Sequence, residues 1–235
     1  MCKDNDSNKI ITVKKKWVIQ EDPAILKQQG PLYKYFSSFC IALLKSKYTH
    51  YAAVNDMEEF VKIWRPIAIN MGVIEENIDV AKALEIQRDL AVMEQEWPTY
   101  KRAVASELFR GDSLTIAESY PWLDSFIANG HTTVTCVQVD QEITSPIIMS
   151  TSTDPAMGYA KEKPVLWHFD LDTDHRGVEM GLYLSEKEVT FPLYNRIWIS
   201  SLIYLPEGHA YQDNANKFGV QHRYIIKAKM LPPAK

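Results

Sequence analysis

Three groups of polar residues lie beside apolar segments and carry the side chains needed to hold an anionic substrate and act on it. Arg110 supplies a guanidinium, whose fixed fork of donors matches the oxygens of a phosphate or a ribose. Ser150 and Ser152 lie two positions apart, so in an extended segment their hydroxyls share one face. Glu186 and Glu188 have the same spacing. Two carboxylates on one face can stabilise positive charge in a transition state and accept a proton from a nucleophile.

The order of these groups along the chain resembles the arginine, hydroxyl and glutamate signature of the mono-ADP-ribosyltransferase family. Phe109-Arg110-Gly111 comes first, Ser150-Thr151-Ser152 follows an apolar run, and the two glutamates precede an apolar segment that ends at Pro192. In that family the last glutamate is typically followed by such a strand and a proline. The resemblance covers roughly residues 104 to 235. Taken singly, Phe-Arg-Gly also fits a strand end, Ser-Thr-Ser a helix cap, and Glu-Lys-Glu a solvated face.

The resemblance implies an enzyme that splits NAD and transfers ADP-ribose to a protein side chain, releasing nicotinamide and requiring no metal. Arg110 would clamp the substrate, and Ser150 and Ser152 would position the catalytic carboxylate. Glu188 would stabilise the ribosyl cation that forms as nicotinamide leaves. Glu186 would orient or deprotonate the incoming nucleophile. Two glutamates at this spacing imply the branch of the family that modifies arginine.

Further contacts with NAD and with the target protein follow from the same resemblance. Gly111 and Thr151 complete the implied cofactor-binding set. Tyr159 resembles the aromatic residue that packs near nicotinamide. Residues 178 to 185 stand where the family recognises the modified protein, and Tyr183 is the candidate aromatic contact. Simple packing explains either tyrosine equally well.

Composition and charge fit a soluble enzyme and narrow the range of partners. The 235 residues are 46% hydrophobic, and no stretch approaches the roughly 20 apolar residues of a membrane span. A net charge of -4 argues against a nucleic-acid surface as the main role. Cys2, Cys40 and Cys136 lack metal or redox spacing, which indicates a reducing compartment or free thiols. The first residues have no apolar core of a secretion signal. We therefore expect NAD and a protein target as partners, without nucleic acid or membrane, and action in a cytosol, including that of a host cell.

The hydrophobic pattern changes near residue 100, and this change predicts two domains. Residues 1–100 form an expected N-terminal helical lobe and residues 101–235 an expected ADP-ribosyltransferase core. Apolar residues at three- and four-position spacing predict helices in the first part, with Asp56 as a cap and Pro66 as a stop for the second of them. The helices are predicted at residues 33–44, 57–64, about 77–97 and 124–128.

Segments rich in β-branched and aromatic residues predict strands in the second part. Helices followed by strands indicate an α+β fold rather than the alternation of a dinucleotide-binding Rossmann domain. No glycine-rich phosphate loop is present, so NAD must be bound by another architecture. The expected fold is ADP-ribosyltransferase-like, with two packed small β-sheets and an N-terminal helical lobe. The strands are predicted at residues 104–109, 132–139, 146–149, 165–171, 188–191, 196–204 and 223–230.

Two alternative functions compete with this one. His168, Asp170 and His222 have the form of a facial iron site, which would make the chain an iron(II) and 2-oxoglutarate-dependent oxygenase. That assignment leaves Arg110, the hydroxyls and the glutamates without a use. A catalytically inactive relative that only binds a partner is the other alternative, and three intact motifs count against it. A calcium loop starting at Asp170 is rejected, because His175 stands where the loop needs glycine.

Overall fold

The structure is a computed structural model of the chain and describes residues 33–100, 102–145, 147–155, 160, 163–180, 187–211 and 222–232. Two compact units are present, one comprising Met1–Tyr100 with Pro146–Ile148 and the other Lys101–Ser145 with Met149–Lys235. In the described residues the first unit is helical, and the β-strands belong to the second. Helices followed by strands confirm the predicted α+β class and the N-terminal helical lobe. Independent folding of two domains that meet at residue 100 stays a prediction.

The helices begin where local sequence supplies caps. The side chain of Asp56 accepts a hydrogen bond from the backbone N–H of Glu59 at 3.0 Å, and Asp79 accepts one from Lys82 at 2.7 Å. Pro121 occupies a first-turn position, where its missing N–H is not needed. None of the described helices has both the length and the apolar character needed to cross a membrane. The α-helices are α1 Tyr33–Lys45, α2 Met57–Asn70, α3 Val80–Glu96 and α4 Pro121–Ala128.

An apolar stripe on α1 packs against α2 and forms the core of the helical unit. The rings of Phe39 and Phe60 lie 4.7 Å apart. The indole Nε1 of Trp64 donates a hydrogen bond to Oγ of Ser38 at 2.8 Å, so the polar atoms inside this contact are paired. Cys40 belongs to the same stripe, and burial raises the pKa of its thiol to about 12. Cys40 therefore acts as a packing residue.

The prediction that Pro66 ends the second helix is wrong, because α2 continues through it to Asn70. A proline inside a helix removes one backbone hydrogen bond, here to the carbonyl of Lys62, at a cost of about 3 kcal/mol. The buried face of α2 extends past the proline, since both Trp64 and Ala68 are fully buried. Packing on both sides of Pro66 offsets the lost hydrogen bond.

Eight described strands form one hydrogen-bonded series in the order β2-β7-β8-β4-β1-β3-β6-β5. β4 and β6 have the predicted bounds, several others differ at their ends, and β5 was not predicted. The strands are β1 Glu107–Asp112, β2 Thr135–Ser145, β3 Met149–Ser152, β4 Val165–Leu171, β5 Val178–Glu179, β6 Glu188–Phe191, β7 Asn195–Tyr204 and β8 Tyr224–Met230.

The connection between β1 and β3 is the narrowest in this series. It consists of the single Cα pair Phe109 and Ser152, whereas β1 pairs with β4 over six residues from Glu107 to Asp112. This narrow join separates five strands on one side from β3, β6 and β5 on the other. In place of the two packed small sheets predicted, the described strands form one eight-stranded sheet, which the join between β1 and β3 divides into two groups.

β4 is an inner strand of the larger group, between β1 and β8. Its residues from Val165 to Phe169 are buried on both faces, which accounts for their uninterrupted apolar and aromatic character. The rings of Trp167 and Phe169 stack 5.5 Å apart on one face. His168 projects from the opposite face, as its place between the two aromatic residues predicts.

We expect Phe60→Ala to lower the free energy of unfolding by about 3–5 kcal/mol, because it removes a fully buried ring that contacts Phe39 and Tyr48. Ile69→Ala on the same helix is the matched control, since Ile69 is 40% exposed. Urea denaturation measures both changes. Equal losses for the two variants would contradict this description of the helical core.

Candidate active site

Arg110 lies in the middle of β1 with its guanidinium held in one orientation. Its Nε donates to Oδ2 of Asp112 and its Nη2 to Oδ1, both at 2.9 Å. Its Nη1 donates to the main-chain oxygen of Ser150 at 3.2 Å. Of the five N–H groups, one on Nη1 and one on Nη2 remain without a partner among the described residues. The far end of the guanidinium is therefore oriented as a two-point donor.

Asp112 is the residue that makes this arrangement possible, and the sequence analysis missed it. Arg110 and Asp112 are two apart on a strand, so their side chains share a face, and they are only 22% and 14% exposed. Burial alone lowers the pKa of Arg110, but the charge and the hydrogen bonds of the Asp112 carboxylate outweigh burial and raise the pKa above its ordinary value. The arginine-x-aspartate spacing directly after the strand predicted at residues 104–109 is the signal that the sequence offers.

Three aromatic residues form a wall in the same unit, on the Arg110 side of β4. Trp167 is the cross-strand partner of Arg110, so both project from one face of the sheet. The ring of Tyr120 lies 5.7 Å from that of Trp167 and 5.2 Å from that of Trp122. Burial, followed by the nearby charge of Asp112, raises the pKa of Tyr120 to about 12, so this hydroxyl stays protonated at neutral pH. Trp167 and Tyr120 are buried, so Trp122, which is half-buried, is the ring of this wall that a planar ligand can reach.

The hydroxyl residues Ser150, Thr151 and Ser152 lie within β3, and each has a different role in the structure. Ser150 reaches Arg110 through its main-chain oxygen rather than its hydroxyl. Thr151 is buried and donates its hydroxyl to the main-chain oxygen of Val189 on β6 at 2.6 Å. The hydroxyl of Ser152 accepts a hydrogen bond from the backbone N–H of Asp154 at 3.2 Å. Ser152 thus fixes the turn after β3, the kind of positioning expected of this cluster.

Glu188 is the first residue of β6 and lies opposite Ser152 on β3. Its side chain is buried, and its Oε1 accepts a hydrogen bond from Oγ1 of Thr190 at 3.0 Å. Lys187, directly before it, has a φ of 46°, a left-handed conformation that residues other than glycine rarely adopt. This unusual backbone sets the direction in which the strand begins. The carboxylate is thereby fixed on the strand beside the one that bonds to Arg110.

Of the remaining predicted contacts with NAD and the target protein, one lies within the described residues and three lie outside them. Gly111 lies in β1 next to Arg110, opposite Leu166. Tyr159, Tyr183 and Glu186 lie outside the described residues, so their roles stay predictions.

A second group of polar side chains surrounds His168 on the other face of the sheet. Nε2 of the histidine lies 3.3 Å from a carboxylate oxygen of Glu107 and 4.0 Å from one of Asp170. Nδ1 lies 2.6 Å from the hydroxyl of Tyr211 and 2.9 Å from Nζ of Lys227. Burial, reinforced by the charge of Lys227, lowers the pKa of His168, so the ring is neutral at neutral pH.

The structure does not form the facial iron site of the oxygenase hypothesis. Among the described residues, the donor atoms that lie within 4.8 Å of one another belong to Glu107, His168 and Asp170. His222 is five residues before Lys227, the partner of His168 in the parallel β4 and β8 pair, which places it roughly 16 Å along the strand direction. Its Nδ1 donates to the main-chain oxygen of Lys163 at 2.8 Å. The oxygenase assignment through His222 is therefore withdrawn.

The fold and this site can be compared with known proteins. No protein-family model and no curated protein matches the chain. The solved structure of the C-terminal toxin domain of RHS2 from Yersinia entomophaga is 48% identical, covers 91% of this chain and 100% of its own, and superposes with a TM-score of 0.83. The chain belongs to the family of this RHS2 toxin domain. The part of the predicted resemblance that concerned bacterial toxins is confirmed.

More distant structures also match along most of the chain. The Salmonella SpvB ATR domain is 16% identical, with 90% of this chain and 100% of that chain covered and a TM-score of 0.46. An ADP-ribosyltransferase from Clostridium botulinum is 14% identical, with 87% of this chain and 93% of that chain covered and a TM-score of 0.43. At these similarities, any activity must be argued from the site itself.

We expect Asp112→Asn to lower the free energy of unfolding by about 2 kcal/mol, because it leaves the largely buried guanidinium of Arg110, 22% exposed, without its counter-charge. Glu142→Gln is a matched control, since Glu142 also binds an arginine, Arg196, through both oxygens but at the surface. Solvent screens the surface pair, so its loss should be clearly smaller. Thermal and urea unfolding compare the two variants, and equal losses would contradict the structural role of Asp112.

Proposed function

We propose that this protein transfers ADP-ribose from NAD to an arginine side chain of a target protein and releases nicotinamide. The observation that carries this proposal is the hydrogen bond from Arg110 to Ser150 on β3, since the neighbouring strand β6 begins with the buried carboxylate of Glu188. The guanidinium suits the anionic part of NAD, and the carboxylate suits the cation that forms at its ribose.

The proposed roles follow from the chemistry of each group. The two available N–H groups of Arg110 bind phosphate or ribose oxygens of NAD, and Asp112 keeps them pointed at the substrate. As the bond between ribose and nicotinamide breaks, positive charge develops on the ribose, and the carboxylate of Glu188 stabilises it and holds the 2'-hydroxyl. Thr190 and Ser152 position that carboxylate through the hydrogen bond to Oε1 and the turn after β3. This division makes Glu188 catalytic and the two hydroxyl residues positioning groups.

Other residues complete the proposed NAD site. Gly111, next to Arg110 in β1, and Ser150 and Thr151, in the strand that bonds to Arg110, are proposed as further cofactor contacts. Tyr159 is proposed to pack near nicotinamide, as the family resemblance implies. The partly exposed ring of Trp122, backed by Tyr120 and Trp167, is a further candidate surface for one of the two rings of NAD.

Arginine is proposed as the acceptor because of the glutamate pair. A guanidinium is a poor nucleophile while protonated, so a second carboxylate that orients it and takes its proton is needed. Glu186 has the spacing for this role, and Tyr183 is the proposed contact with the target protein. The relationship to a toxin domain supports action on a protein of another cell, in its cytosol. No metal takes part in the proposed chemistry.

Glu188→Gln retains the shape of the side chain and removes its charge. We expect NAD cleavage and transfer to protein to fall together by about 100-fold or more, the scale expected when a preorganised electrostatic group is lost. Release of nicotinamide, followed by chromatography, measures the effect, with Glu142→Gln as the folded control. Near-normal cleavage by a folded Glu188→Gln protein would refute the role of Glu188, whereas absence of cleavage by the wild-type protein would make an inactive binding relative the better description.

Glu186→Gln distinguishes the transfer of ADP-ribose to protein from the cleavage of NAD. We expect transfer to protein to be largely lost while hydrolysis of NAD by water continues, because water does not need the second carboxylate to the same extent. Both activities are measured in one reaction, as labelled protein and as free ADP-ribose. Loss of both would place Glu186 in the NAD site, and loss of neither would reject arginine as the acceptor.

A further inference from the structure

We propose that Glu107, His168 and Asp170 form a binding site for a divalent transition-metal cation of the zinc type, separate from the proposed NAD site. Glu107 lies on β1, and the other two lie on the neighbouring β4. Glu107 is the cross-strand partner of Asp170, and Phe109 that of His168, so these side chains share one face of the sheet. Arg110 projects from the opposite face of the same two strands.

The distances fit a metal with three protein ligands. Nε2 of His168 lies 3.3 Å from Oε1 of Glu107 and 4.0 Å from Oδ1 of Asp170, and all three donor atoms lie within 4.8 Å of one another. Ligand atoms bound tetrahedrally at about 2.1 Å from zinc lie roughly 3.4 Å apart, so small side-chain rotations bring this set into range. One nitrogen and two carboxylates are ligands that zinc accepts, with a fourth position left for water.

The buried histidine points to a ligand. The side chain of His168 is only 4% exposed, and its Nε2 makes no hydrogen bond of acceptable geometry with any described residue. A buried polar atom without a partner is unfavourable unless something else binds it. The carboxylates it faces are 53% and 58% exposed, so an ion can enter from solvent, and their two negative charges match a divalent cation. These features are absent from an ordinary solvated acidic patch.

The partners of Nδ1, on the other edge of the His168 ring, affect how strongly the site binds a metal ion. An imidazole that holds a metal through Nε2 carries its proton on Nδ1, and the hydroxyl oxygen of Tyr211, 2.6 Å away, can accept that proton. Lys227, whose Nζ lies 2.9 Å from Nδ1, donates to the same nitrogen when Nδ1 has no proton. Metal binding and donation by Lys227 therefore exclude each other. The lysine acts as a built-in competitor that the metal must displace.

Titration calorimetry of the chelator-treated full chain with Zn²⁺ alone tests the site. We expect one Zn²⁺ per chain and an increase in the unfolding temperature when Zn²⁺ is added, because an ion that binds only the folded state stabilises it. Glu107→Gln and Asp170→Asn change half-exposed side chains and should fold, and each should weaken binding by about tenfold or more. Lys227→Gln should bind Zn²⁺ more tightly than the wild type. NAD cleavage should not require the metal.

Two controls make the test specific. Asp174→Asn changes an exposed aspartate outside the group and should leave Zn²⁺ affinity unchanged. His222→Gln alters another buried histidine whose Nε2 also lacks a hydrogen bond among the described residues, and it should bind Zn²⁺ like the wild type. Absence of binding with excess Zn²⁺, or wild-type affinity in both Glu107→Gln and Asp170→Asn, would overturn the proposal. Weaker binding in Lys227→Gln would overturn the proposed competition.

Discussion

Burying the guanidinium of Arg110 requires a compensating charge, because an arginine does not give up its proton in a protein and an unpaired buried charge is strongly unfavourable. Asp112 supplies that charge through two hydrogen bonds of 2.9 Å within the same strand. The pair fixes the plane of the guanidinium and leaves its far end for a substrate. The third hydrogen bond, to Ser150, connects this orientation to β3 and thus to the strand that carries Glu188.

The narrow contact between β1 and β3 gives the proposed site its shape. A single Cα pair joins the two groups of strands, and Arg110 and Glu188 come from different groups. Around this short backbone pairing, side-chain hydrogen bonds hold the strands and the neighbouring turn in place. Thr151 bonds to the backbone of β6, Ser152 fixes the following turn, and Thr190 holds the carboxylate of Glu188. Buried polar groups would destabilise an ordinary core. Here they hold the residues of the proposed substrate site in position.

The sequence predicted those features that depend on local pattern and missed those that depend on pairing between strands. β4 and β6 were predicted with correct bounds because Val165–Leu171 and Glu188–Phe191 are short apolar runs with β-branched and aromatic residues. Pro66 predicts a helix end from local sequence, because the packing of α2 against α1 is not visible there. Only the register of β1 and β4 brings Glu107 beside His168, so the sequence does not indicate this pair. The His-x-Asp motif points to His222, which lies elsewhere. The proposed catalytic residues were found through motif order, yet Asp112, two residues from Arg110, was overlooked.

The central claim is that Arg110 and Glu188 act together on NAD, and one reaction tests it most directly. The purified protein is incubated with NAD labelled in its ADP-ribose part and with a cell lysate, and both free nicotinamide and labelled protein are measured. The account predicts that nicotinamide is released in step with the appearance of a labelled protein whose modified side chain is an arginine. NAD that stays intact in the presence of folded protein would contradict it.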